Sequence, residues 1–598
     1  MKNPYHQEDP DPHVAMGARS AWLVIALFLA FIALPPLYRN VFEALRPAAD
    51  GERWVPAVEV FNFDPQGEKT LAKHFQEFEK PLDDAPFTEP VRRAVQRAEV
   101  AALREGNRKV VVGNDGWLFY RPGLDALAGY GPVRPEPDTV AKDPNRAPWR
   151  GPAPAIRNFA RQLREFGCEL ILVPIPIKPM IYPEKLTGSA FDRPLKHPDA
   201  DALYRELEAS GVRVIDLTEI LWSAKQASPE PLFLKTDTHW TPEGMAFFAA
   251  TLAEALRHRP WMADLPADRR FQKTEVPREG LGDLVGMLGL EGTRAFEAEH
   301  IAVREVFAQP GGEPFAPDPA APVVLLGDSF VNIYADESLG WGAGAGFAAH
   351  LAMQLGMPLD VIARNGQAAT GVRRELASRP EAAAMMRQKK AVVWALAARD
   401  LFLSETPAQE TGVVWEDVKF RESGAAESPV AGDGPVEVTG EVIKRYEPHD
   451  PNRVTYQEEI FPLEYRITEG AGSIKPGDTV IVYHWAFREK KLLPASRYQV
   501  GDSQRLTLVR LSEKAELSTI QRIEFDIDFD APEPIPYWAE AVSAPGADPS
   551  PESEPTGSLA FAHAAAAGSC LALAALAFLA VKALRNRRYG MWEDEAEA

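Results

Sequence analysis

The chain has 598 residues, 86 acidic and 65 basic, for a formal net charge of -21. That length exceeds what one ordinary core fills, so two or more packed units joined by linkers are expected. The negative balance opposes the counterion release on which nucleic-acid binding depends, which argues against a nucleic-acid partner, and it leans any polymeric substrate toward a neutral one.

In chain order, residues 21–34 form an uncharged apolar run, extended by Pro35, Pro36, Leu37 and Tyr38, near the lower limit for a span of ~20 apolar residues. No small-x-small cleavage pattern is obvious after it, so residues 1–40 are read as a cytoplasmic tail and uncleaved anchor. Residues 41–107 are a helical and loop lead-in, with a charged helical stretch over 89–105. The β-branched run that starts at Lys109, broken at Asn114-Asp115-Gly116 and followed by aromatics to Tyr120, predicts a hairpin.

From there strands and helices alternate. Helices are expected over 155–166, 199–210, 242–256 and 346–355, and strands over 169–175, 213–216, 323–326, 359–362 and 391–396. That rhythm predicts an α/β domain, residues 108–403, with helices on a mostly parallel sheet. Residues 404–433, rich in Pro, Glu, Gly and Ala, read as a linker. Period-two alternation in 436–443, 479–483, 505–511 and 522–529 predicts a small C-terminal β-rich domain over 434–530, for which a barrel is one arrangement. Residues 531–557 are a Pro-, Ala- and Glu-rich linker, and the Ala- and Leu-rich run 558–583 is a second span.

Lys582 near the end of that run and Arg585, Arg587 and Arg588 after it place the tail 584–598 in the cytoplasm by the positive-inside rule. With two transmembrane helices, the residues between them lie on the far side of the inner membrane. The only cysteines, Cys168 and Cys570, fall at a strand start and in the second span, so no disulfide framework is available to that exported region.

Two motifs carry chemistry. Gly327-Asp328-Ser329 directly follows the apolar run that starts at Val323, which puts a serine at the carboxyl edge of the sheet, where active sites of open α/β sheets gather. Glycine lets the chain turn sharply, so that the hydroxyl can face a cleft and its own N–H a developing oxyanion. The same tripeptide recurs as Gly501-Asp502-Ser503, but there it precedes a strand and reads as a turn. In Lys235-Thr236-Asp237-Thr238-His239-Trp240-Thr241-Pro242, Thr241 is a good N-cap and Pro242 a good first helical residue, so His239 sits on a loop held at a helix start. Asp237 can accept from one imidazole nitrogen and leave the other facing a serine hydroxyl. The same residues could instead cap the loop, or give two ligands to a metal. No third donor appears at a readable spacing, so no metal is expected.

These motifs join others in a recognisable order. The segment from Val112 to Tyr120, the segment from Pro176 to Glu184, Asp237-Thr238-His239-Trp240, Gly282-Asp283-Leu284 and Gly327-Asp328-Ser329-Phe330 together resemble the periplasmic alginate O-acetyltransferase family, AlgJ- and AlgX-like, over roughly residues 108–403. The resemblance implies an SGNH-hydrolase-like three-layer domain and a triad of Asp237, His239 and Ser329. It also implies an oxyanion donor near Arg364-Asn365-Gly366-Gln367, with Asn365 or Gly366 as candidates, although Asn-Gly is also an ordinary turn. Lys178 and Arg399 match family positions without a role that follows from their chemistry.

The activity implied is O-acetyl transfer to an exported polysaccharide through an acetyl-serine, with no cofactor. A membrane-bound O-acyltransferase is implied as the acetyl donor partner, because acetyl must be exported. A polysaccharide acetyl esterase with the same triad, or a non-catalytic scaffold of an export complex, would carry the same residues. The C-terminal β-rich region matches no carbohydrate-binding module residue by residue.

Overall fold

The computed structural model describes residues 88–133, 151–403 apart from 380, 413–420, and the stretch 435–543 apart from 450, 452–457, 473, 515–516, 518–519 and 524–535. The chain divides into two units, one of residues 1–103 with 555–598 and one of residues 104–554. Within the first, the described element is the helix Thr88–Leu103. Both apolar runs read as membrane spans, 21–34 and 558–583, lie outside the described residues. Among those described, no helix is long and apolar enough to cross a membrane.

The larger unit opens on a hairpin, β1 (Val110–Val112) and β2 (Leu118–Tyr120), whose turn is carried by Asp115 and Gly116 at positive φ. Its centre is a five-stranded sheet of β3 (Glu169–Ile175), β4 (Arg213–Val214), β7 (Val323–Gly327), β8 (Asp360–Ala363) and β9 (Ala391–Ala397) in the order β4-β3-β9-β7-β8. Every pairing is parallel. Successive side chains point to opposite faces, and both faces are apolar, as a sheet covered on two sides requires. Ile171, Val173, Val323, Leu325 and Val393 pack toward the helices Pro242–Arg257 and Phe347–Leu355. Leu170, Leu172, Val324, Leu326 and Trp394 pack toward the helices Pro152–Glu165 and Gly371–Ser378. The expected three-layer α/β arrangement is therefore present.

Two elements differ from the sequence reading. A long antiparallel hairpin, β5 (Arg270–Gly280) with β6 (Glu299–Gln309), precedes the serine strand. Every position of β5 is at least partly exposed and five of its eleven residues are charged, so it leaves no clean apolar alternation to read. Residues 413–420, assigned to the linker 404–433, belong instead to the α/β core: Trp415, Val418 and Phe420 are buried against Phe159 and Trp394. The carbonyls of Val414 and Glu416 accept from Thr370 and Arg373.

The C-terminal region is a barrel built of β10 (Val436–Arg445), β11 (Glu459–Glu469), β12 (Thr479–Arg488), β14 (Ser503–Arg510) and β16 (Pro536–Ser543). β10, β11 and β12 pair in series, β12 runs parallel to β16, and β16 and β14 return to β10, which closes the circuit. The short strands β13 (Lys491–Leu492) and β15 (Gln521–Arg522) flank it. Closure removes the sheet edges that an isolated β-domain would expose. β16 falls inside the stretch read as the linker 531–557, so the barrel runs past the expected boundary at 530. Of the strand expected over 522–529, residues 524–529 lie outside the described residues. Gly501-Asp502-Ser503 is a turn before β14, with Gly501 at φ +99° and the Asp502 carboxylate accepting from Gln499 N.

Candidate active site

The serine is set by the end of β7. Gly327 closes the strand, and a Cβ there would meet Val331 Cγ2 at 2.2 Å, so only glycine lets the next turn fold back so closely. Asp328 then caps the short helix Ser329–Asn332: its Oδ1 accepts from Phe330 N at 2.9 Å and its Oδ2 from Ala397 N at 3.0 Å, fastening the turn to the end of β9. The Ser329 N–H is the first amide of that turn and has no acceptor within it, which leaves it available to an anion.

The histidine is set by a narrow loop that doubles back on itself. Leu234 N donates to His239 O at 3.1 Å and Thr241 N to Leu232 O at 3.0 Å. Thr241 caps the following helix by accepting from Gly244 N, and Pro242 takes the first helical position. His239 is buried, and so is Asp237. His239 Nδ1 lies 2.7 Å from Asp237 Oδ1 and His239 Nε2 lies 2.8 Å from Ser329 Oγ, so the three residues form one hydrogen-bonded chain. The His239 ring meets Phe330 edge-on, with centroids 4.8 Å apart, and the neighbouring Trp240 packs on Phe330, Phe248 and Phe347.

Asp237 accepts from four donors. Oδ1 takes His239 N and Nδ1, while Oδ2 takes Trp341 Nε1 at 2.9 Å and Asp283 N at 3.1 Å. Burial pushes this carboxyl up, but the hydrogen bonds and charge of His239, with Trp341, outweigh it and hold Asp237 at about 2. Burial pulls His239 down, yet the bond and charge of Asp237, backed by Asp283 and Asp328, leave it above its ordinary value. Asp283 is itself pushed up to about 6, first by burial and then by the charge of Asp237.

The loop is held from outside by Glu299, which sequence reasoning missed, and by Asp283, which it placed in a family motif without a role. Glu299 Oε1 accepts from Thr236 N at 2.8 Å and from Thr236 Oγ1, and Oε2 accepts from Lys235 N at 2.8 Å. Asp283 accepts from Thr238 N and Oγ1 at 2.7 and 2.8 Å. A Cβ on Gly282 would meet Thr236 and Asp237 backbone atoms at 2.4 Å, which explains the glycine in Gly282-Asp283-Leu284. Lys178 also gains a role. Its buried ammonium donates to Leu118 O at 2.8 Å and Lys235 O at 3.0 Å, tying the β1–β2 hairpin to the histidine loop, and burial lowers it to about 8. Arg399 lies over the rings of Tyr120 and Phe330, next to the serine turn, with its Nε 3.5 Å from Asp400.

Asn365 and Gly366 sit on the neighbouring strand-end loop and make no hydrogen bond to Ser329 or His239. Asn365 Nδ2 donates to Asp336 at 3.2 Å, and its Oδ1 accepts from Asn332 at 3.0 Å, one turn beyond the serine. Asp237, His239 and Asp283 bring ligand-type atoms within 4.8 Å of one another. All four carboxylate oxygens already accept an N–H or O–H, so they are engaged in holding the loop and the imidazole.

Residues 110–398 match the ALGX family model, described as SGNH hydrolase-like domain, acetyltransferase AlgX. The chain is similar to the "Probable alginate O-acetylase AlgJ" of Pseudomonas aeruginosa, 31% identical over 193 residues, covering 32% of this chain and 43% of the relative. To the AlgJ protein of Pseudomonas putida it is 30% identical over 251 residues, 38% of this chain and 56% of the relative. These matches thus span about half the length of the curated relatives or less. Among solved structures, the O-acetyltransferase domain of Pseudomonas putida AlgJ aligns at 23% identity and a TM-score of 0.38, covering 50% of this chain and 95% of that one. Pseudomonas aeruginosa AlgX aligns at 17% identity and a TM-score of 0.36, covering 65% of this chain and 90% of that one.

Proposed function

We propose that this chain, which carries an SGNH hydrolase-like domain of the AlgX acetyltransferase type, transfers acetyl groups to hydroxyls of an exported polysaccharide through an acetyl-serine at Ser329. The observation that carries the reading is the hydrogen-bonded chain from Asp237 Oδ1 through His239 to Ser329 Oγ, with links of 2.7 and 2.8 Å.

In the first step His239 Nε2 takes the Ser329 hydroxyl proton as the oxygen attacks the acetyl carbonyl of the donor. The imidazolium so formed is stabilised by Asp237, which stays ionised because four donors hold it so. The developing oxyanion takes the Ser329 N–H first, with Asn365 or the Gly366 amide as the second donor. His239 then returns the proton to the leaving group, and the serine ester remains. In the second step a sugar hydroxyl gives its proton to His239 and attacks the ester, and His239 passes that proton to Ser329 Oγ as it leaves, which frees the serine and puts acetyl on the polymer.

The relatives named for alginate O-acetylation support a uronate polymer as acceptor, whereas the overall charge of -21 favours a neutral one. The runs 21–34 and 558–583 would anchor the protein in the inner membrane with its catalytic domain outside. A membrane-bound O-acyltransferase beside it would deliver acetyl, and anchoring raises the effective concentration of the two partners. The test is acetyl transfer from a chromogenic aryl acetate by purified protein, with and without an oligosaccharide acceptor. Transfer to sugar faster than to water is expected, and both must vanish in Ser329→Ala. Hydrolysis alone would mark an esterase.

A further inference from the structure

The loop that follows β8 is held from two sides. Toward the serine, Arg364 N donates to Gly327 O at 3.0 Å, and Asn332 Nδ2 to Asn365 Oδ1 at 3.0 Å. The loop is a tight turn in which Gln367 N donates to Arg364 O at 3.1 Å and Gly366 takes φ +74°, a conformation that suits glycine at the third position of a type II turn. Away from the serine, its grip comes from the C-terminal barrel.

Gln367 Nε2 donates to the main-chain carbonyl of Arg522, on β15, at 2.8 Å. Glu375 accepts both Nε and Nη2 of Arg364 at 2.9 Å and also lies 3.5 Å from Arg522 Nη2, so one carboxylate joins the turn to the barrel. β15 is itself fixed to the barrel wall by parallel pairing of Gln521 and Arg522 with Glu459 and Ile460. The Gln367 side chain is kept there although its Oε1 is buried without a partner among the described residues, a cost that a polar group rarely bears without a positional reason.

We propose that the barrel acts as a positioning element of the acetyl-transfer site, using Arg522 to fix the Arg364–Gln367 turn that carries the candidate oxyanion donors Asn365 and Gly366. This role rests on the acetyl-serine reading of Ser329. Gln367 and Arg522 touch no reacting atom; they act by setting where the turn stands relative to Ser329, and a displacement of about 1 Å at such a group costs up to ~10²-fold in rate. Because the grip matters where charge develops, its loss lowers kcat and leaves KM for a small ester in place.

The experiment compares full-length wild type, Gln367→Met and Arg522→Met, with Ser329→Ala alongside, by aryl acetate kinetics and thermal melting. Gln367→Met removes the donor to the barrel at nearly constant volume, and Arg522→Met removes the link to Glu375 at a partly exposed site. The expected result is a fall of about tenfold in kcat in each variant with KM and melting temperature unchanged. A kcat within about twofold of wild type in both variants, or losses that simply follow lowered melting temperatures, overturns the positioning role. Activity surviving in Ser329→Ala overturns the acetyl-serine reading itself. An inactive Ser329→Ala beside wild-type kcat in both variants overturns the positioning role alone.

Discussion

His239 Nε2 and Ser329 Oγ stand 2.8 Å apart although 90 residues separate them, and two independent devices make that distance. On one side, Gly327 allows a turn too close for any side chain. On the other, the loop 235–239 is pinned through Glu299 and Asp283 before the chain enters the helix at Pro242. Neither device is part of the proton relay, so each can be weakened without touching it.

His239 must be neutral to take the serine proton, and Asp237 holds it above its ordinary 6.5 against the pull of burial. Rate should therefore fall as pH drops through that raised value, placing the acid limb of the kcat/KM profile above 6.5. Asp237→Asn removes the charge, so the limb should move to lower pH while kcat drops by roughly 10²–10⁴-fold. A pH series of aryl acetate turnover on both proteins checks it.

Trp341→Phe keeps an aromatic ring, though a smaller one at this buried site, and removes the indole N–H from Asp237 Oδ2. A hydrogen bond to a charged group is worth about 1.5–3 kcal/mol, so we predict a loss of roughly ten- to a hundredfold in kcat with little change in KM. Steady-state kinetics with a melting curve separates this from unfolding.

Gly282→Ala should be among the most damaging small changes in the domain. The added methyl meets Thr236 and Asp237 backbone atoms at 2.4 Å, and backbone cannot swing aside as a side-chain end can. Overpacking of this kind costs about 1–3 kcal/mol, and here it also displaces the aspartate. A lowered melting temperature together with loss of activity is expected; wild-type kinetics would contradict it.

Lys178→Met tests the tie between hairpin and histidine loop. The substitution leaves the carbonyl of Leu118 without its buried donor, at about 1–3 kcal/mol, while the carbonyl of Lys235 keeps the Leu118 N–H at 2.8 Å. Denaturant unfolding should show that loss. Because burial lowers the wild-type ammonium from 10.5 to about 8, the folded protein holds this proton less tightly than the unfolded chain, and stability should rise as pH climbs from about 8 toward 10.5. The cause is the burial of the charge, a cost to the folded state that deprotonation relieves.

The sheet was legible because β3, β7 and β9 are continuous apolar runs bounded by turn residues, and a doubly covered parallel strand leaves that trace in sequence. The serine and histidine motifs were legible because a strand end and a helix start are local events. Trp341 and Glu299 were not, since they reach the Asp237 loop from 104 and 63 residues away and no local pattern marks them; Asp283, 46 residues away, was marked by Gly282-Asp283-Leu284 but its hold on the loop was not. β11 escaped notice for another reason: Pro462 interrupts it, and proline usually argues against a strand. It is tolerated because Pro462 pairs with β12 beyond the last β10 pairing, at Arg445 and Leu463, where no ladder donor is needed from it. β16 was hidden in a Pro- and Ala-rich stretch whose composition resembles a tether.

The most direct measurement is a search for the acyl-enzyme. Wild-type protein and the variants Ser329→Ala and His239→Ala are mixed with an aryl acetate, quenched in acid and analysed by peptide mass. We predict an acetyl group on the peptide carrying Ser329 in the wild type alone, removed on addition of a sugar acceptor. An active enzyme that never carries acetyl at Ser329, or a Ser329→Ala protein that still transfers acetyl, would contradict the assignment of Ser329 as nucleophile.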